Sequence, residues 1–321
     1  EPFNMTNINT VLGPIESSKL GFTLSHEHIC NGFGGSPFTF PEFLDREATL
    51  ERAVIDLSEA KNEGLQTIMD VAPHDQGRDI KLQQEVSRRS GVNIITCTGT
   101  WLDVPRFFHG LDPSKIADLY VREIEEGIEG TDIRASIIKV ASDQGGVKPE
   151  EELVLRAAAR ASKKTGIPIM THTWAPDRIG EEQVRIFKEE NLDMDLVCIG
   201  HSNDTTDMKY LTGLLEQGVW LGMDRHPGGE LETPFWKERT QIVKSLLDMG
   251  WGHRIMLAHD WDSSIGLHSS EFRAARESYN PDKYLFITRN VLPYLKQLGS
   301  TDGDIKNLTV RNPQIYLEGS R

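Results

Sequence analysis

Cysteine is scarce: Cys30, Cys97 and Cys198 are the only three in 321 residues. An odd trio is too few for a disulfide framework, and each lies in an apolar, strand-like run. All three therefore read as buried thiols that leave the compartment open. Basic charge is also short, with 35 Lys and Arg against 49 Asp and Glu, a balance of 35 − 49 = −14. That field argues against nucleic acid or an anionic membrane surface as the main partner and suits a neutral or cationic small molecule. Long apolar runs are missing too, since nothing approaches the ~20 residues that span a bilayer. The first residues, Glu1-Pro2-Phe3, form no basic and apolar leader. The chain as given reads as soluble, and the lack of an initiator Met is compatible with a leader or tag already removed. No Gly-rich phosphate fingerprint follows the first apolar strand, which disfavours a doubly wound open sheet.

What the chain has instead is alternation. Short β-branched runs at 22–29, 66–71, 93–98, 133–140, 168–172, 196–201, 220–224 and 254–260 predict eight strands. The runs Ile94-Ile95 and Ile137-Ile138 fit strands covered on both faces. Between them, apolar residues at three and four spacing predict helices over 47–63, 78–90, 113–127, 149–165, 177–191, 206–217 and 233–249. Glycines at 64, 91, 166 and 218 are stop signals, and the tail after Ser263 is helical in pieces. Eight βα units without a composition break predict a single (β/α)8 TIM barrel domain over residues 1–321, with its active site at the C-terminal ends of the strands.

Those ends carry chemistry. In an extended strand alternate side chains share a face, so His26 and His28 point one way and Glu27 the other. An isolated His-X-His is more often a pair of ordinary histidines than a metal grip. Here Lys139, His172, His201 and Asp260 fall on the ends of the fourth, fifth, sixth and eighth predicted strands. Singly, His172 reads equally well as a core histidine, and His201, Asp204 and Asp260 as helix caps. Lys139 sits in an apolar run, where a lysine must be paired, neutral or modified. Six metal-compatible groups at one mouth favour a metal site.

The motifs Thr23-Leu24-Ser25-His26-Glu27-His28-Ile29-Cys30, Ile137-Ile138-Lys139-Val140-Ala141, Thr171-His172-Thr173, Cys198-Ile199-Gly200-His201-Ser202-Asn203-Asp204 and His259-Asp260-Trp261 resemble those of the phosphotriesterase family of the amidohydrolase superfamily, over about residues 8–316. The resemblance implies a binuclear metal centre: His26, His28 and Asp260 on one ion, His172 and His201 on the other, and a carboxylated Lys139 bridging both. A buried lysine with a lowered pKa is neutral enough to take up carbon dioxide. Zinc suits the ligand set, and cobalt, manganese or iron would accept it. The implied nucleophile is a hydroxide bridging the ions. Asp260 is its implied base, and Asp204 its implied relay.

Substrate choice stays open between phosphotriesters and lactones or aryl esters. Trp101 matches the phosphotriesterase members, whereas the loop from Asp224 to Trp236 is short and predicts a pocket open on that side. Arg225 is expected either to assist proton relay or leaving group, or to salt-bridge Asp204. Trp101, Leu102, Ile265 and His268 are expected to line an apolar cleft. Phe33, Phe38, Phe40 and Phe43, clustered after the first strand, read as a dimer interface or an entrance wall, and the interface, hence a homodimer, is the expectation.

Overall fold

The computed structural model describes residues 6–265 and 270–320. A hairpin of β1 (Asn7–Thr10) and β2 (Gly13–Glu16) precedes the barrel. The staves follow as β3 (Thr23–Asn31), β4 (Thr67–Asp70), β5 (Asn93–Ile95), β6 (Cys97–Gly99), β7 (Ile137–Ala141), β8 (Ile169–His172), β9 (Val197–Ile199), β10 (Trp220–Met223) and β11 (Ile255–Leu257). Parallel pairing runs β3-β4-β5 and then β6 through β11 in sequence order. The ring closes where Asp260 N donates to His26 O at 3.1 Å and His28 N donates to Trp261 O at 2.8 Å. The eight-stave barrel is therefore present.

Several boundaries differ from the sequence reading. The strand expected over 93–98 is two pieces, β5 and β6, because the first pairs with β4 and the second with β7. The strand expected from Ile133 begins at Ile137. Residues before it bond locally instead, with Ile133 O accepting from Ile128 N and Ala135 N donating to Glu123 O. Helices expected from Arg78 and Thr206 begin later, at Ile80 and Met208, because Asp79 and Asp207 cap them by accepting from Leu82 N and Tyr210 N. Such a carboxylate offers an alternative to helical bonding and fixes the start. Two elements were not anticipated: the first hairpin, and β12 (Asp262–Ile265), which pairs parallel with β3.

The layers follow from burial. Outward-facing apolar residues of the staves pack beneath the surrounding helices, while Met69, Ile95, Ile137, Met170, Cys198, Trp220 and Met256 fill the barrel interior. All three cysteines are free and buried, as expected. The C-terminal helix Asn312–Glu318 adds Tyr316 and Leu317 to that interior cluster and closes the end opposite the strand C-termini. Among the described residues no helix is long and apolar enough to cross a membrane.

Asn312 ties this plug down, its buried amide donating to Gly252 O and Ile255 O at 2.7 Å each. Asn312→Ala strands both carbonyls, and each unmet buried acceptor costs about 1–3 kcal/mol. A urea titration should show a stability loss of about 2–4 kcal/mol without a change in the metal-ligand geometry. A midpoint equal to wild type would show that the plug is not held here.

Candidate metal centre

Every residue of β3 from Thr23 to Cys30 is buried, so both its faces must be satisfied. His26 and His28 turn into the mouth, as alternation requires, although they stand mid-strand rather than at its end. Glu27 faces the other way. Its Oε1 accepts from His259 N at 2.9 Å and from His259 Nδ1 at 2.7 Å, and its Oε2 accepts from Trp261 N at 3.0 Å. One buried carboxylate thus grips the residues on both sides of Asp260, whose backbone is left-handed at φ 55.

The donors converge. His28 Nε2 lies 3.0 Å and His26 Nε2 3.6 Å from Asp260 Oδ1. Lys139 Nζ lies 2.7 Å from His26 Nε2, and His201 Nε2 2.9 Å from His172 Nδ1. His201 Nε2 is 3.8 Å from Asp260 Oδ2. His26, His201 and Asp260 offer atoms all within 4.8 Å of one another. Asp224 accounts for the orientation of two rings: it accepts from His26 Nδ1 at 3.0 Å, and from His201 Nδ1 at 2.9 Å and His201 N at 2.8 Å. That fixes the Nδ1–H tautomer and turns both Nε2 lone pairs inward. Imidazole nitrogens and carboxylate oxygens held this way fit divalent cations.

Electrostatics agree. Burial holds His26 and His201 well below their usual pKa, so both rings are neutral and able to ligate. Burial also lowers Lys139, to about 8. For Asp260, burial opposes ionisation, but the charged Arg225 and the hydrogen bond to His28 outweigh it and hold the carboxyl well below its ordinary value.

Asp204 lies in a short turn after β9, and the cap of the following helix is Asp207 instead. Arg225 makes the salt bridge considered for it, Nη1 to Asp204 Oδ2 at 2.8 Å, and also binds Asp260 Oδ2 through Nε at 2.9 Å. Burial would lower the Arg225 guanidinium, but Asp204 and Asp260 raise it above its usual pKa, so it stays charged.

A cavity of about 300 Å³ opens on these groups. Trp101 lines it and meets His172 edge-on, with ring centroids 5.8 Å apart. Leu102 is half-buried and not part of the lining. His268 and the side chain of Ile265 lie outside the described residues. Gly228, Glu230, Leu231 and Thr233 of the short loop do form a wall. Helix Ser270–Tyr279 adds Phe272 and Tyr279, and Tyr279 Oη donates to Gly229 O at 3.3 Å. That side is therefore more enclosed than loop length alone suggested.

Sequence reasoning missed Asp224, Glu27, Asp75 and Arg239. Asp75, buried, accepts from Trp101 N at 2.9 Å and Asp103 N at 3.1 Å, and so sets the tryptophan wall. A signal existed for Glu27, because a carboxylate inside a wholly apolar strand must have partners. Asp224 likewise ended the predicted strand 220–224, among the ends that carry chemistry, whereas Asp75 and Arg239 lay off the strand ends and gave no signal.

Asp224→Asn keeps the volume but offers an amide where two ring N–H groups need acceptors. Loss of such an outer partner typically weakens metal binding about 10–100-fold. Chelator competition on the folded variant should read a weakening of this size, and unchanged affinity would remove Asp224 from this role.

The family model described as "Phosphotriesterase family" matches residues 6–317. A phosphotriesterase homology protein of Mycobacterium tuberculosis is 38% identical over 325 residues, covering 98% of each chain. An aryldialkylphosphatase of Saccharolobus solfataricus is 33% identical over 310 residues, 94% of this chain and 96% of that one. The solved structure of the phosphotriesterase from Mycobacterium tuberculosis superposes with a TM-score of 0.92 at 37% identity, covering 98% of this chain and 99% of the other. The chain belongs to the phosphotriesterase family and is a metal-dependent hydrolase.

Proposed function

We propose that this protein hydrolyses neutral phosphotriesters with good aryl leaving groups at a binuclear centre, with lactone or aryl ester hydrolysis as a companion activity. One observation carries the reading: six buried or nearly buried ligand-type side chains meet at one mouth, beside a cavity of about 300 Å³ walled by Trp101, Leu231, Phe272 and Tyr279. His26, His28 and Asp260 would hold one ion, His172 and His201 the other, and a carboxylated Lys139 both. Bound there, two divalent cations, most simply zinc, supply Lewis acidity and a water of lowered pKa.

The chain's own groups do the rest. Asp260, kept ionised by its neighbours, takes the proton that the attacking water gives up as the bond from phosphorus to the aryl oxygen breaks. Arg225 orients that carboxylate through its Nε. Asp204 holds Arg225 in place and receives the proton outward only through water, because a guanidinium this stabilised does not shuttle protons. Trp101 and the loop wall exclude water from the ester arms.

The arginines bear on substrate charge. Arg225 meets Asp204 and Asp260, Arg239 meets Asp204, and Arg276 meets Asp262. Lining cations already matched by carboxylates give no reward to an anionic substrate, which supports the neutral ester. The lactonase alternative is supported by the wall that the short loop and Tyr279 form together, since a flat ring asks for less room than three ester arms. The homodimer belongs to the same proposal and is supported by the exposed Phe38, Phe40 and Phe43.

Two outcomes test this. On one metal-reconstituted batch, kcat/KM for diethyl 4-nitrophenyl phosphate should exceed that for γ- and δ-lactones, acyl-homoserine lactones included. Lactones ahead by about tenfold, or roughly 1.4 kcal/mol, would make lactonase the better name. Second, carboxylation needs neutral Lys139, and its pKa of about 8 means that protonation blocks it progressively as pH falls below that value. Metal-free protein given two equivalents of zinc in carbon dioxide-free buffer should regain activity faster with bicarbonate above pH 8 than below it, and native mass should rise by one carbon dioxide. Lys139→Ala should gain no such mass and lose most activity.

A further inference from the structure

The buried guanidinium of Arg239 sits outside the ligand set yet touches three parts of the mouth. It stands on the helix Trp236–Asp248 and is 1% exposed. Its Nη1 donates to Asp204 Oδ1 at 2.8 Å, its Nη2 to Thr233 Oγ1 at 2.8 Å and its Nε to Pro234 O at 2.6 Å. Gly228, at the other end of the loop, lies flat against it. With φ +73, a Cβ there would come within 1.9 Å of Nε. The loop ends are also joined directly, Gly229 N donating to Pro234 O at 3.0 Å.

Asp204 passes the connection inward. One carboxylate oxygen takes Arg239 and the other takes Arg225, which continues to Asp260. A charged chain thus runs from the pocket wall at Gly228 and Thr233 to the carboxylate of the metal centre. We propose that Arg239 is a positioning residue that latches the loop of residues 228–234 to Asp204 and thereby sets which ester arms the cavity admits. The planar fork is required, because a lysine ammonium reaches Asp204 or the loop but cannot bond all three partners at fixed angles. The consequence is a division of labour: loop geometry governs binding of the arms, while the ligands govern turnover. This inference rests on the ester-hydrolase reading.

The test uses the metal-loaded full chain and Arg239→Lys, with Thr233→Val, which removes the hydroxyl that accepts from Arg239 and donates to Glu230 O, as the milder variant. Hydrogen exchange at the Gly229 amide should quicken about tenfold in Arg239→Lys, in keeping with a local opening that has lost most of its restraint. With dialkyl aryl phosphates, KM for butyl arms should change about tenfold relative to methyl arms, while metal content stays near wild type. Thr233→Val should move both readouts the same way, by less. A lowered melting temperature with wild-type exchange at Gly229 and an unchanged butyl-to-methyl KM ratio would overturn the latch. If Arg239→Lys does not fold, Thr233→Val decides on the same two readouts. Should wild type cleave no ester, the functional reading fails, and exchange at Gly229 still reports on the latch by itself.

Discussion

Asp224 is the carboxylate on which the mouth of the barrel depends. Following β10, it reaches His26 on β3 and His201 after β9, two rings whose elements are far apart in sequence. Burial pushes its carboxyl well above the ordinary range, and the His201 amide, Lys139 and Arg225 oppose that shift. Placing an anion there is costly unless donors surround it. Three N–H groups do so, and the arrangement is reciprocal: the anion fixes the tautomer of both rings, and the rings supply the anion with bonds. Remove the barrel closure between β11 and β3 and the two histidines no longer face one carboxylate. Fold and site are one constraint at this point.

The parts of this molecule legible in the sequence were those with local periodicity. Alternation within β3 placed His26 and His28 together, and burial of the Ile137-Ile138 run placed Lys139 where its ammonium had to be answered. Eight βα units gave the barrel, and glycine stops marked helix ends well. Boundaries failed where a side chain outbid periodicity, as with the caps at Asp79 and Asp207. The hairpin before the barrel and β12 were lost because Asn7–Thr10, Gly13–Glu16 and Asp262–Ile265 are largely polar or carry Gly-Pro and so lack the apolar signal of a stave.

Pairing across the mouth was legible only in part. The bridge from Arg225 to Asp204 was expected, but Arg239 and Asp204 are separated by 35 residues and no spacing rule connects them. Composition was silent on the same point. An excess of 14 acidic groups describes the whole chain, whereas the lining of the cavity matches each of three arginines with a carboxylate. Net charge therefore governs approach of a ligand more than its reception.

The backbone at the ligands supplies the last link. His201 and Asp260 both take left-handed conformations, at φ 57 and 55. For residues other than glycine such a backbone costs on the order of 1–3 kcal/mol each. The cost persists only if neighbours over-determine the geometry. At His201 the amide bond to Asp224 does so, and at Asp260 the two oxygens of Glu27 hold the amides on either side. Glu27 is itself fully buried, and burial drives its carboxyl upward against the bonds from Trp261 and His259 that favour the anion. The residue between the two histidines is thus committed to the far face of the strand, where it shapes the turn that presents Asp260. His-Glu-His is in this sense one device: the histidines face the cavity, and the glutamate fixes the carboxylate they meet there.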